Sequence, residues 1–148
     1  MKTKAVRLYG KKDLRMEKFE LPAPGPDEIL VKLVCDSLCM SSYKAVIEGS
    51  EHKRIPDDIA EHPIIIGHEF GGYILEVGER WKHKYQKGDK FSIQPAINSP
   101  DGPVGLMSAP GYSYRYIGGN SQYAIVPKEV LENDCLLKFE GEGYYKAS

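Results

Sequence analysis

The sequence predicts a mainly β domain, a barrel or sandwich with a few short helices. Three observations carry that reading: apolar residues alternate with polar ones along most of the chain, the alternating segments are short, and Gly or Pro bounds most of them. Strands are expected over residues 3–9, 14–19, 28–36, 64–66, 72–77, 90–94 and 122–126. Pro22, Pro24 and Pro26 surround Gly25; lacking a backbone N–H to donate to a ladder, they mark a loop feeding the strand that begins at Glu28. Gly88-Asp89 is a second turn signal. Ser41 or Ser42 is placed to cap a short helix through Tyr43, Ala45 and Ile47 that stops at Gly49. Residues 95–120, rich in Pro, Gly, Ser and Tyr, show no steady period and form a long excursion or lobe. No internal repeat is visible.

With 148 residues, 41% hydrophobic and 28% charged, the chain has the composition of one globular domain. Such a chain buries about 70% of its unfolded surface, so it needs no disulfide or metal merely to stay compact. Lys and Arg total 20 against 21 Asp and Glu, with no long run of either sign. The basic footprint of a nucleic-acid or anionic-membrane binder is therefore missing. No apolar stretch is long enough for a signal core or a membrane span, and a cytoplasmic location is expected. Cys35, Cys39 and Cys135 are an odd number without a Cys-x-x-Cys pair, which argues against a disulfide framework and a four-cysteine zinc knot.

Gly67-His68-Glu69-Phe70-Gly71-Gly72 is the most informative stretch. His68 and Glu69 are both zinc ligand types. Neighbouring side chains on a regular strand point to opposite faces, so the two meet one metal only where the backbone is irregular, as the glycines permit. Glu69 either ligates directly or orients a ligand from the outer shell. Cys39 is the third candidate. Cys35 shares a strand face with Ile29, Val31 and Leu33 and reads as a core thiol, whereas Cys39 lies beyond that strand at a helix amino terminus, where the dipole favours the anionic, metal-binding sulfur. Cysteine, histidine and a carboxylate with a position left open make a catalytic type of site.

These residues resemble the zinc-dependent medium-chain dehydrogenases, whose catalytic domain has a GroES-like fold, a partly open β-barrel. The resemblance rests on Lys4-Ala5-Val6, the loop from Pro22 to Pro26, Glu28-Ile29-Leu30-Val31-Lys32, Cys39, Pro63 and Gly67-His68-Glu69. It continues through Gly71, Val77-Gly78, Gly88-Asp89-Lys90-Phe91 and Gly119 through Tyr123 to Pro127. It implies a single catalytic zinc on Cys39, His68 and Glu69 or a later Cys or Glu, and Ser41 as relay for the substrate hydroxyl proton. Ser42 stands where an acid usually orients the zinc histidine, and Lys44 where some members have a relay histidine. The lobe at 95–120 has none of the four cysteines that hold a structural zinc in many relatives, so no structural zinc is expected. The tyrosines of Gly111-Tyr112-Ser113-Tyr114-Arg115-Tyr116 are expected to pack the lobe.

Within the family, Leu38-Cys39-Met40-Ser41-Ser42-Tyr43-Lys44, His52-Lys53-Arg54, Pro56-Asp57-Asp58 and Pro110-Gly111-Tyr112-Ser113 are similar to the L-sorbose 1-phosphate reductase branch. His52, Lys53 and Arg54 then either offer charge-assisted bonds to a substrate phosphate or form a solvated basic loop. The resemblance implies an NAD(P)-linked oxidoreductase acting on a sugar or polyol. No strand, Gly-x-Gly-x-x-Gly turn and helix occur in sequence, so the chain has no Rossmann domain, and residues 1–148 are read as a catalytic domain cut before the nucleotide-binding one. Inactivity alone and self-association through uncovered apolar surface are expected, with a homo-oligomer as the working state. Two rival readings remain: a metal-free GroES-like assembly module, and a zinc-free quinone or enoyl reductase relative.

Overall fold

The computed structural model describes residues 1–144. Strand β1 (Lys2–Gly10) and strand β2 (Asp13–Glu20) form an antiparallel hairpin, and the short β4 (Ile64–Ile65) adds to the other edge of β1. The second sheet has five antiparallel strands in the order β7-β3-β5-β6-β8, built from β3 (Ile29–Asp36), β5 (Phe70–Val77), β6 (Lys90–Ile93), β7 (Tyr123–Val126) and β8 (Leu136–Phe139). Two helices, α1 (Met40–Glu48) and α2 (Lys128–Glu132), complete the main elements.

The sheets join where β1 runs beside β7. The Thr3 hydroxyl donates to the Tyr123 carbonyl at 3.0 Å and accepts from the Tyr123 N–H at 3.0 Å. Val6 N–H donates to Asn120 O at 2.8 Å and Gln122 N–H to Lys4 O at 3.0 Å. These bonds satisfy edge groups that a barrel's seam would otherwise leave bare. The result is the partly open barrel expected of a GroES-like fold.

The main core fills the five-stranded sheet with Ile29, Val31, Phe70, Ile74, Phe91, Val126 and Leu131, and a second core lies between β1, α1 and the lobe, with Leu8, Ala45, Ile55, Ile64 and Tyr112. Every strand expected from alternation is present, with ends moved by at most two residues. Strand β8 and helix α2 were not expected. Leu136 is buried but Leu137 and Lys138 are both exposed, so β8 carries no period-2 pattern to read.

Two local expectations are corrected. The cap of α1 is Cys39, whose sulfur accepts from the Ser41 N–H at 3.4 Å, rather than Ser41 or Ser42. Cys35 is half-buried instead of a core thiol, because a register shift between Leu33 and Cys35 breaks the alternation there and sets it opposite Gly71. Gly49 does end α1, at φ 55°.

Candidate metal centre

Strand β4 ends at Ile65 and β5 starts at Phe70, so His68 and Glu69 sit in the bend between them, off the regular pleat. Gly67 makes that bend at φ +98°, a conformation that side chains with a Cβ rarely adopt. A Cβ there would also collide with the Asp36 carboxylate and the Asn120 side-chain amide. Asn120 Nδ2 donates to Asp36 Oδ2 at 2.8 Å, while the Gly67 carbonyl accepts from Gly119 N–H at 2.8 Å. The bend is thus held from the end of β3 and from the lobe's return to β7. Gly111, at φ +86°, lets the lobe backbone close against the Gly67 carbonyl from a further side.

This bend turns His68 and Glu69 toward the amino terminus of α1. Cys39, His68 and Glu69 each offer a ligand atom, all within 4.8 Å of one another, and among the described residues they are the one such group of three or more His, Cys, Asp or Glu. The His68 side chain is 12% exposed and Glu69 40%. His68 Nε2 is buried and has no hydrogen-bond partner among the described residues; Glu69 Oε1 is 3.8 Å away, too far for a bond. Burial lowers the His68 pKa, opposed by the Glu69 charge, so the ring is neutral near pH 7 and the contact with Glu69 is no ion pair.

A buried nitrogen without a partner costs about 1–3 kcal/mol, which an ion would recover. Zinc bonds of about 2.0–2.3 Å to N, O and S place ligand atoms roughly 3–4 Å apart, so the three groups close on one ion with shifts of about 1 Å. The soft sulfur, the neutral imidazole and the carboxylate fit zinc by their chemistry as well as their spacing.

Sequence reasoning missed two residues that build the site. Asp36 is pushed up to about 6 by burial, with the Glu69 N–H opposing and the Glu69 charge adding to the shift. Tyr112 is 5% exposed and stands between two imidazoles: its ring is 5.2 Å from His52, stacked at 17°, and 5.2 Å from His68, tilted at 55°. Burial raises the Tyr112 pKa, opposed by the neighbouring Ser41 hydroxyl, so Ser41 stands beside this phenol at the site. The alternating tyrosines 112, 114 and 116 look alike in sequence; Tyr112 faces the centre, Tyr114 enters the main core and Tyr116 is 36% exposed.

The basic loop divides. Lys53 is exposed, His52 Nδ1 accepts from Arg54 N–H at 3.1 Å, and Arg54 Nη1 donates to the Met107 carbonyl at 2.9 Å. Lys44 lies 3.8 Å from Glu48 on α1. A cleft of about 400 Å³ opens beside Glu69, walled by Cys35, Phe70, Ile93, Pro95 and Tyr144. No helix among the described residues is long and apolar enough to cross a membrane.

Residues 25–133 match the alcohol dehydrogenase GroES-like domain. L-sorbose 1-phosphate reductase of Klebsiella pneumoniae is 51% identical over 99% of this chain and 35% of its own length. Mannitol-1-phosphate 5-dehydrogenase of Aliivibrio fischeri is 46% identical over 99% of this chain and 33% of its own. Among solved structures, 2R,3R-butanediol dehydrogenase from Bacillus subtilis superposes with a TM-score of 0.72 at 28% identity, covering 96% of this chain and 42% of that one. The chain spans about a third of the length of these two curated relatives.

Proposed function

The chain belongs to the alcohol dehydrogenase GroES-like domain family, and on that premise we propose that it is the metal-holding catalytic part of a zinc-dependent oxidoreductase. The reaction interconverts a hydroxyl and a carbonyl of a sugar or polyol, with hydride exchanged with NAD(P). The relatives' names, with a sorbose phosphate and a mannitol phosphate, support a phosphorylated substrate. The nicotinamide site is assigned to a part of the protein other than residues 1–148, so this chain alone is expected to give no NAD(P)-dependent turnover.

One observation carries the reading: the Nε2 of His68, buried and without a hydrogen-bond partner among the described residues, stands with Cys39 and Glu69 ligand atoms inside 4.8 Å. Cys39, His68 and Glu69 would hold the ion. Zinc, when bound, supplies Lewis acidity toward the substrate oxygen, and as a redox-inert ion it leaves the electron pair to nicotinamide. His68, neutral because it is buried, keeps its nitrogen free of a competing proton. Ser41, on the first turn of α1 next to the Tyr112 phenol, is the group that passes the hydroxyl proton outward. Glu69, the most exposed of the three, borders a cleft by which a substrate would approach these residues. The loop of His52, Lys53 and Arg54 is joined to His68 through the Tyr112 ring.

Metal analysis of the purified protein tests this reading. One equivalent of zinc is expected, falling away on Cys39→Ala. Protein that folds yet holds no metal would leave a metal-free assembly module or a zinc-free reductase relative as the better account.

A further inference from the structure

The chain has five arginines, and four of them face a carboxylate: Arg7 with Glu17, Arg15 with Asp13, Arg80 with Asp27 and Arg115 with Asp58. Arg54 pairs with none among the described residues, although it is half-buried while Arg15, Arg80 and Arg115 keep side chains at least 45% exposed. A half-buried guanidinium without a counter-charge among the described residues is placed to take an anion that arrives from outside.

Arg54 is also unusually well fixed. Its N–H donates to His52 Nδ1 at 3.1 Å, its carbonyl accepts from the Ser113 hydroxyl at 2.5 Å, and its Nη1 donates to Met107 O at 2.9 Å. The loop is thereby tied to the lobe at both backbone and side chain, and the other N–H groups of the fork remain for a ligand. His52 stacks on Tyr112 and Tyr112 lies against His68, so the tied loop and the candidate metal ligand share one wall.

We propose that Arg54 binds the phosphate of a phosphorylated sugar or polyol whose reacting carbon is held at Cys39, His68 and Glu69, and so is the specificity-determining residue of the loop. The proposal rests on the reading of those three residues as the metal site. Lys53, exposed and unanchored, is assigned no comparable share. A preorganised guanidinium grips a phosphate without first paying to order its own side chain.

The test is calorimetric titration of the full chain, loaded with Co²⁺, with inorganic phosphate, a hexitol 1-phosphate and the unphosphorylated hexitol. Arg54→Met is expected to weaken both phosphate ligands by about 10- to 100-fold, with the hexitol changed less than about threefold and the cobalt spectrum unaltered. Arg54→Lys is expected to recover part of the affinity, and Lys53→Met to cost less than about threefold. Equal losses for phosphorylated and plain hexitol would give Arg54 a merely structural role and overturn the proposal, as would a Lys53→Met loss matching that of Arg54→Met. Failure of the metal reading is seen separately, as a cobalt spectrum indifferent to Cys39→Ser, while the inorganic phosphate titration still reports on Arg54.

Discussion

Replacing Gly67 by alanine strikes the bend that delivers His68, and the size of the effect follows from two independent costs. The first is conformational: at φ +98° an alanine costs about 1–2 kcal/mol. The second is steric, because the new Cβ meets Asp36 and Asn120 and must part the 2.8 Å bond between them; loss of a hydrogen bond to a charged group costs about 1.5–3 kcal/mol. Together they amount to about 2.5–5 kcal/mol, or a fall in Tm of roughly 8–15 °C for a chain of this size. Gly88 provides the control. It has φ +91° and, among the described residues, no atom within 4 Å of an added Cβ, so Gly88→Ala carries the first cost alone, about 1–2 kcal/mol. Urea unfolding followed by circular dichroism measures both, and the difference between the two variants isolates the collision. Gly67→Ala should also lose zinc affinity, whereas Gly88→Ala should keep it. Equal destabilisation by the two substitutions, or native zinc affinity in Gly67→Ala, would refute the argument that this bend is built around Asp36 and Asn120.

Thr3→Val keeps the shape at the sheet junction but strands the Tyr123 N–H and carbonyl; a loss of about 2–4 kcal/mol is expected in urea unfolding. Tyr112→Ala empties a 5%-exposed site that packs on both His52 and His68, so about 3–5 kcal/mol of stability should go, together with part of the zinc affinity by equilibrium dialysis. Asp36 has a folded pKa of about 6 against 3.8 for a free carboxyl, so its contribution to stability is full below about pH 4 and is lost as pH rises through about 6. Asp36→Asn in the metal-free protein should therefore be more stable relative to wild type at pH 7 than at pH 4, as read from urea midpoints across that range. Leu38, Met40 and Tyr43 are exposed beside the centre, so light scattering of the isolated chain should show concentration-dependent association, which serine at Leu38 and Met40 should reduce.

Much of this was legible from residues because the β elements depend on local alternation. Strands β1, β2, β3 and β5 announce themselves that way, and the glycines around His68 signal the irregular bend that a shared metal needs. Strand β8 is invisible because a short edge strand with Leu137 and Lys138 both exposed carries no pattern. Cys35 misled for a related reason: period-2 reasoning cannot see a register shift, which depends on the partner strand. The Cys39 cap escaped because hydroxyl residues stood beside it and capping preference favours them. Asp36, Asn120 and Tyr112 are the hardest kind, since their roles come from contacts across long stretches of chain, such as Asp36 with Asn120, that no local spacing encodes. Arg54 was legible only as one of three basic residues; its tie to Met107, and the absence of a carboxylate partner among the described residues, are facts of packing.

The most direct test of the account is a Co²⁺ titration of the full chain, following the thiolate-to-metal charge-transfer band. A band that saturates at one equivalent, disappears in Cys39→Ser and weakens at least tenfold in affinity in His68→Ala is the predicted result. Cobalt binding that proceeds unchanged in both variants, or an intact fold that takes up no cobalt at all, would contradict the claim that the thiol at the head of α1 and the imidazole of the bend serve one ion.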